Sequence, residues 1–395
     1  MTNPSSRRTV VFAGGGTGGH LFPGIAVAQE FLRRDAATRI LFVGSEKPIE
    51  REILGRAGFE HVPLSSVSPS LTFSRIVPSL ANNWRAYRQA RTVLASERPS
   101  VVIGLGGFAS VPPVLAARRD RTPIVLLEQN VVPGKATRWL SRFANVVCLP
   151  WDEAAQGLPA GTSTIVTGNP IRQEIAMLAS ERPCKTGTLA RRLADDGQEC
   201  PSYNNTLLIL GGSQGATALN ALVLTAIEGL LGQNGLNGGQ TPLAGWRIVH
   251  QTGAADVDEI RGRYAAFKLN ADVQPFLSDM AEQYRRATCV ISRAGATTLA
   301  ELACAGLPAI LVPLPTSAHD HQRLNAKLFA DQTAAILIEQ QAKSETCAAE
   351  LGTQLASLLS DEEQRQQLRD SMTRFAKPDA AAAVADAIEN VERAR

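Results

Sequence analysis

The sequence predicts two doubly wound α/β domains, each a parallel sheet with helices on both faces. Three observations lead there. A strand, a glycine turn and a helix open each half of the chain, the turns beginning at Gly14 and Gly211. The strand-like segments are short and continuously apolar, as expected where both faces of a sheet are covered. Finally, 395 residues that are 44% hydrophobic suffice for two cores of ordinary size.

In chain order, Arg8–Ala13 reads as a strand, Gly14–Gly19 as a turn and Leu21–Arg34 as a helix. Arg39–Gly44, Ser100–Leu105, Pro123–Leu127 and Val146–Leu149 repeat the buried strand type, with helical stretches between, so βαβ units are the economical reading. Val101–Ala117 is uncharged but holds glycines and the Pro112-Pro113 pair. Because it falls short of the roughly 20 residues of a spanning helix, it reads as a strand and a following loop. The grammar restarts at Thr206–Leu210, GGSQGA and a helix over Leu219–Leu231. Further strands are expected at Trp246–His250, Ala287–Ser292, Ala309–Val312 and Ala335–Ile338. Glu181–Asn205 and Gly232–Gly245 read as surface insertions. Asp361–Arg374 and Asp379–Arg393 read as two closing helices, with Asp379 the N-cap of the last. The expected domains are 1–172 and 173–375, with the helix 379–393 packing back on the first.

A mean hydropathy of −0.04 and 19% charged residues exclude a disordered or fibrous chain. The net charge of +3 conceals an imbalance: residues 1–172 carry +9 and the remainder −6. A basic first half suits an anionic membrane, a phosphorylated substrate or nucleic acid, and charge alone does not choose among them. Six scattered cysteines without C-x-x-C spacing read as a reduced, cytosolic chain. The N-terminus lacks the pattern of a signal peptide.

The loop from Gly14 to His20 is the first candidate site. Its glycines let backbone approach a ligand, and the following helix offers unpaired N–H groups and a positive dipole end. A dinucleotide fingerprint also fits, but it needs an acid about 20 residues on. The first acid beyond the second strand is Glu46, 30 positions after Gly16. A tight packing turn is the remaining alternative. His20 stands at the helix start, where the dipole favours neutral imidazole, so it is either a general base or a structural histidine. Gly211–Ala216, with the Ser213 hydroxyl, can cradle phosphate in the same way. In Ser292–Glu301, small residues and hydroxyls at a helix start permit approach of a diphosphate, and Glu301 can accept from ribose hydroxyls. An ordinary capped helix is the bland reading. Asp256-Val257-Asp258 and His319-Asp320-His321 lack the further ligands a metal site needs.

The segments GGGTGGHLFPGIAVA, GLGGFASVPPVLAA, LLEQNVVPGKATRWL, TGNPIR, LILGGSQGATALN, SRAGATTLAELACAGLPAILVPLP and HDHQRLNA, in this order from about Val10 to Ala330, resemble one enzyme family. It comprises the peptidoglycan N-acetylglucosaminyltransferases that convert undecaprenyl-linked N-acetylmuramyl-pentapeptide (lipid I) into the disaccharide lipid II. The resemblance implies two Rossmann-like domains facing across a cleft (GT-B type) and an inverting hexosyl transfer from UDP-N-acetylglucosamine to the muramyl 4-hydroxyl. It implies no cofactor, no resident metal and no nucleic-acid partner. By motif, Thr17, Gly18 and Gly19 match residues that approach donor and acceptor phosphate, and His20 the general base. Asn130 matches a sugar-hydroxyl contact, Arg172 and Ser213 match UDP contacts, and Leu277 the uracil-binding backbone position. Ala296, Thr297, Thr298, Leu299, Ala300 and Glu301 match the diphosphate helix start, with Glu301 on the ribose. Gln322 matches a donor-sugar contact. His321 stands where a glutamine is common in the family, and both insertions exceed its compact pattern.

A lipid acceptor gives the charge imbalance a physical reading. Leu71–Leu80, followed by Trp84, Arg85, Arg88 and Arg91, mixes apolar and basic groups, as does Trp139 with Lys135, Arg138 and Arg142. Such a surface suits peripheral attachment to an anionic membrane, here the cytoplasmic face of the cell membrane. The alternative is that the apolar members are core and the arginines a solvated face. Rival functions are another UDP-sugar enzyme such as a diacylglycerol glycosyltransferase or a UDP-N-acetylglucosamine 2-epimerase, an NAD-dependent oxidoreductase, and a nucleotide sensor without activity.

Overall fold

The computed structural model describes residues 8–16, 18–66, 73–181, 205–211, 217–236, 241–317, 320–340 and 344–394. Thr17, Ser213, His319, most of the 181–205 insertion and the side chains of 71–80 lie outside that description. The chain forms two compact units: Met1–Arg172 with Lys377–Arg395, and Gln173–Ala376.

The first unit holds β1 (Thr9–Ala13), β2 (Arg39–Ser45), β3 (Glu60–Leu64), β4 (Val101–Gly104), β5 (Ile124–Leu127), β6 (Val146–Leu149) and β7 (Thr164–Val166). They pair in parallel in the order β3-β2-β1-β4-β5-β6-β7. Crossovers run through α1 (Gly18–Arg34), α2 (Pro48–Arg56), α3 (Phe73–Glu97), α4 (Val111–Arg119) and α5 (Lys135–Leu140). Alternate strand residues feed two cores. Val10, Phe12, Ile103 and Val125 pack on one face; Val11, Leu41, Val102 and Leu126 pack on the other. The closing helix Ala380–Arg393 adds Val384, Ala385 and Ile388 to the first of these cores. Arg34 donates to its Asp386 at 2.7 Å, and Arg8 pairs with its Glu392.

The second unit begins with α6 (Gln173–Ala176) and holds β8 (Thr206–Leu210), β9 (Arg247–Gln251), β10 (Ala271–Gln274), β11 (Cys289–Ser292), β12 (Ala309–Leu311) and β13 (Ile336–Leu337). These strands are parallel in the order β10-β9-β8-β11-β12-β13. Its helices are α7 (Thr217–Leu236), α8 (Val257–Ala266), α9 (Met280–Arg286), α10 (Ala296–Ala305), α11 (His321–Asp331), α12 (Ser344–Ser360) and α13 (Glu362–Met372).

Two doubly wound parallel α/β units are thus present, with four local corrections. Residues 232–236, expected to open a loop insertion, continue α7 to Leu236. Residues 111–119, expected as a loop, form α4, because Pro112 and Pro113 occupy the first helical turn, where a missing N–H costs nothing. His321, expected on a loop with its neighbours, opens α11 after Asp320, which holds a left-handed φ of 59°. Asp379 stands at the N-cap position of the closing helix, but its side chain makes no cap hydrogen bond. Among the described residues, no helix is long and apolar enough to cross a membrane.

Candidate active site

In each sheet the strand order reverses between neighbours: β1 and β4 in the first unit, β8 and β11 in the second. The loops leaving such a pair diverge to opposite faces and open a crevice at the carboxyl edge of the sheet.

In the first unit both of those loops are glycine turns. Gly14 (φ 135°) donates its N–H to Val43 O at 2.9 Å, and a Cβ there would lie 2.8 Å from Gly106 O. A Cβ at Gly107 (φ 70°) would lie 3.1 Å from Gly15 O. The two loops therefore meet backbone to backbone, which side chains would prevent. His20, half-buried on the first turn of α1, lays its ring along the second loop: a Cβ at Gly106 would be 3.1 Å from His20 Cδ2 and 3.4 Å from Nε2. Gly18 is half-buried beside the Phe22 ring, and Gly19 is exposed. The Arg172 guanidinium stands 5.7 Å above the same Phe22 ring, which brings it to the start of α1.

After β5, the buried Glu128 organises its loop. One carboxylate oxygen accepts from the N–H groups of Gln129 and Asn130 and from Asn130 Nδ2 at 3.2 Å, and the other accepts from Gly134 N–H. Asn130 is thereby oriented by a residue to which no role was given on sequence grounds. The buried Gln129 carboxamide donates to Leu105 O and Leu127 O, and its Oε1 lies 3.8 Å from the Cβ point of Gly106.

A second residue without a sequence-derived role is Glu50, on α2 and fully buried. Its carboxylate accepts from Gly16 N–H at 2.5 Å, from Ser45 N–H at 2.9 Å and from the Ser45 hydroxyl. Lys47 Nζ, exposed, donates to Gly16 O at 3.4 Å. His61 Nε2 lies 3.8 Å from Glu50, and burial holds the His61 imidazole below its ordinary pKa against the pull of that carboxylate. Of the glycine loop's donors, the Gly16 N–H is therefore turned inward and cannot serve an anion.

In the second unit, α10 follows β11 through Arg293, Ala294 and Gly295. Gly295 occupies the N-cap position and has no side chain to cap the helix, which starts from a short, small-residue turn. Ala296, Leu299 and Glu301 are buried, whereas Thr297, Thr298 and Ala300 are half-buried. Glu301 accepts from the buried Tyr284 hydroxyl at 3.0 Å. Arg293, 7% exposed, donates through Nη1 to Val312 O, Pro313 O and Gln340 Oε1. Its Nε and Nη2 find no acceptor among the described residues. Burial lowers the Arg293 pKa to about 10, so it stays cationic at neutral pH. Gln322, on the first turn of α11, accepts from Leu314 N–H at 2.9 Å. Leu277 lies between β10 and α9, with its side chain buried. Asp256 accepts from Asn220 at 2.7 Å and Asp258 from Arg261 at 2.8 Å, so both carboxylates are engaged by the fold's own donors.

In the first unit, α3 packs on α4 and α4 on α5. Ala86, Ala90 and Leu94 point inward from α3, leaving Arg85, Arg88 and Arg91 exposed and Trp84 63% exposed. Trp139 is 41% exposed beside Lys135, Arg138 and Arg142. These aromatics are not core. A groove of about 750 Å³ in this unit opens elsewhere, at the amino ends of β5, β6 and β7, and contains none of the site residues.

Residues 10–149 match the glycosyltransferase family 28 N-terminal domain and residues 206–390 the family 28 C-terminal domain. A protein of Trichlorobacter lovleyi named UDP-N-acetylglucosamine--N-acetylmuramyl-(pentapeptide) pyrophosphoryl-undecaprenol N-acetylglucosamine transferase is 37% identical over 380 residues, 95% of this chain and 96% of the relative. The crystal structure of Acinetobacter baumannii MurG superposes with a TM-score of 0.70 at 28% identity, covering 97% of this chain and 99% of that one. A UDP-GlcNAc 2-epimerase from Neisseria meningitidis, covered over 99% of its length by 97% of this chain, reaches a TM-score of 0.64 at 12% identity and so shares the fold alone. The order of the matched domains and the identity along nearly the whole chain agree: it belongs to glycosyltransferase family 28 and, within it, to the UDP-N-acetylglucosamine–N-acetylmuramyl-(pentapeptide) pyrophosphoryl-undecaprenol N-acetylglucosamine transferases.

Proposed function

We propose that this hexosyltransferase binds its lipid-linked acceptor on the first unit and UDP-N-acetylglucosamine on the second, and that His20 is its general base. The uracil meets the Leu277 backbone, the ribose hydroxyls donate to Glu301, and the diphosphate takes the backbone of Ala296, Thr297 and Thr298 at the helix start, with Leu299 and Ala300 completing the turn. Ser213 and Arg172 add UDP contacts, and Gln322 and Asn130 hold sugar hydroxyls. Thr17, Gly18 and Gly19 carry the glycine loop to the phosphates. The His20 imidazole takes the proton of the muramyl 4-hydroxyl as its oxygen attacks C1 of the donor. The C1–O bond to the diphosphate breaks, UDP departs with the electron pair, and the anomeric centre inverts. Charge gathers on the leaving diphosphate, where fixed N–H dipoles and the Arg293 cation stabilise it.

The reading is carried by one observation: each unit places a small-residue helix start at its topological switch point, His20 on the first and the buried Glu301 on the second. The same proposal attaches the protein peripherally to the cytoplasmic face of the membrane through Trp84, Trp139 and their arginines. Incubation with radiolabelled UDP-N-acetylglucosamine and lipid I is the test. Label in lipid with equimolar UDP is expected. Label in a free epimer without acceptor, or no UDP release, overturns the reading.

A further inference from the structure

We propose that Glu50 is a positioning residue of the acceptor site, setting the conformation of the glycine loop from which His20 is presented; this rests on the reading of the first unit as the acceptor site. The carboxylate is fully buried, yet among the described residues its hydrogen bonds come from Gly16 and Ser45, and none from a lysine or arginine. Burying a carboxylate is costly, and here the compensation is spent on holding backbone. Space is cleared for it. A Cβ at Gly15 or at Gly44 would overlap the Glu50 carboxylate, so glycine is required on both strand ends to admit it.

What Glu50 settles is the orientation of one peptide. Gly16 has φ 101°, a region where glycine peptides reorient readily. With the Gly16 N–H fixed inward at 2.5 Å, the carbonyl of the same peptide, Gly15 O, is turned toward the second glycine loop, 3.1 Å from where a Cβ on Gly107 would stand. Two residues later α1 begins, and its first turn carries His20 against Gly106. The loop between β1 and α1 is thus tied to the turn between β2 and α2, and the base inherits that anchor.

Glu50→Gln keeps the shape but turns one acceptor into a donor facing the Gly16 or Ser45 N–H. Enzyme is counted by UDP-binding stoichiometry, which reads the second unit. We expect kcat/KM for lipid I to fall ~10–100-fold, the effect of a misplaced reacting group, while KM for UDP-N-acetylglucosamine stays within about twofold of wild type, as for any group that touches neither donor nor its unit. Ser45→Ala, which spares the Gly16 bond, should fall between wild type and Glu50→Gln. If Glu50→Gln does not fold, amide exchange in the wild-type enzyme decides: a Gly16 N–H protected well above loop level supports the anchor, and rapid exchange overturns it. Unchanged acceptor kcat/KM in Glu50→Gln, or equal losses toward both substrates, also overturns it. Full turnover by His20→Ala would instead remove the underlying reading, which separates the two failures.

Discussion

The Tyr284 hydroxyl donates to Glu301 at 3.0 Å, with both side chains buried. This bond joins α9, which follows the Leu277 turn, to α10, whose start is proposed to meet the diphosphate. The segments assigned to uracil and to ribose are therefore braced against each other. Tyr284→Phe should weaken UDP-N-acetylglucosamine binding by roughly 1–2 kcal/mol, within the span of side-chain hydrogen bonds to neutral and charged partners. Calorimetric titration with UDP should read this as a ~5–30-fold rise in Kd, with kcat changed little.

His20→Ala should lower kcat by ~10²–10⁴-fold, the usual contribution of a positioned base. UDP affinity, to which His20 is given no contact, should not move. Pre-steady-state sugar transfer to lipid I measures it, and a near-normal rate assigns the proton to another group.

Gly106→Ala and Gly58→Ala form a matched pair. Both glycines have left-handed φ, 94° and 76°, but a Cβ at Gly58 meets nothing within 4 Å, whereas one at Gly106 meets the His20 ring at 3.1 Å. Each change should destabilise by about 1–3 kcal/mol through backbone strain. Only Gly106→Ala should also lose turnover per folded molecule, because the imidazole must shift. Thermal melting and specific activity, measured together, check this.

His250 is buried between Tyr264, 3.0 Å from Nδ1, and Asn220, 3.2 Å from Nε2. Burial pushes its pKa down to about 3, against the pull of Asp256. The folded value lies below the unfolded one near 6.5, so unfolded chains bind the extra proton. The stability is complete above about pH 6.5 and is lost progressively as pH falls toward 3. Between pH 7 and pH 5 the second unit should lose ~2 kcal/mol, read as an earlier loss of UDP binding in urea. His250→Gln should flatten that slope.

Trp84→Ala with Trp139→Ala should release the enzyme from vesicles containing anionic lipid while leaving UDP affinity intact. Co-sedimentation measures the partition. Retention of both variants on vesicles would return Trp84 and Trp139 to the status of ordinary surface residues.

Much of the architecture is legible in residues alone, because strands covered on both faces must be apolar throughout. Thr9–Ala13 and Thr206–Leu210 are such strands, buried at every position. The strands that escape sequence reading, Glu60–Leu64, Thr164–Val166 and Ala271–Gln274, all lie at sheet edges. Among the described residues one side of each has no partner strand; β7 is exposed along its whole length and β3 tolerates Pro63. The site divides in the same way. Glycine turns and His20 announce themselves by composition and spacing. Glu50, Glu128, Tyr284 and Arg293 do not, because each acts through backbone groups or through a partner far along the chain, and neither leaves a local signature. Thr17 and Ser213 lie outside the described residues.

Residues 377–395 rejoin the unit begun by residues 1–172, so the second unit is an insertion within the first and the polypeptide passes between them twice. During synthesis, the sheet of the first unit therefore waits for this covering helix until the whole second unit has been made. A stop codon at position 377 would spare every residue of the second unit. It would still strip Val384, Ala385 and Ile388 from the core made first and leave Arg8 without its carboxylate. Damage written after the second unit would thus be felt in the first.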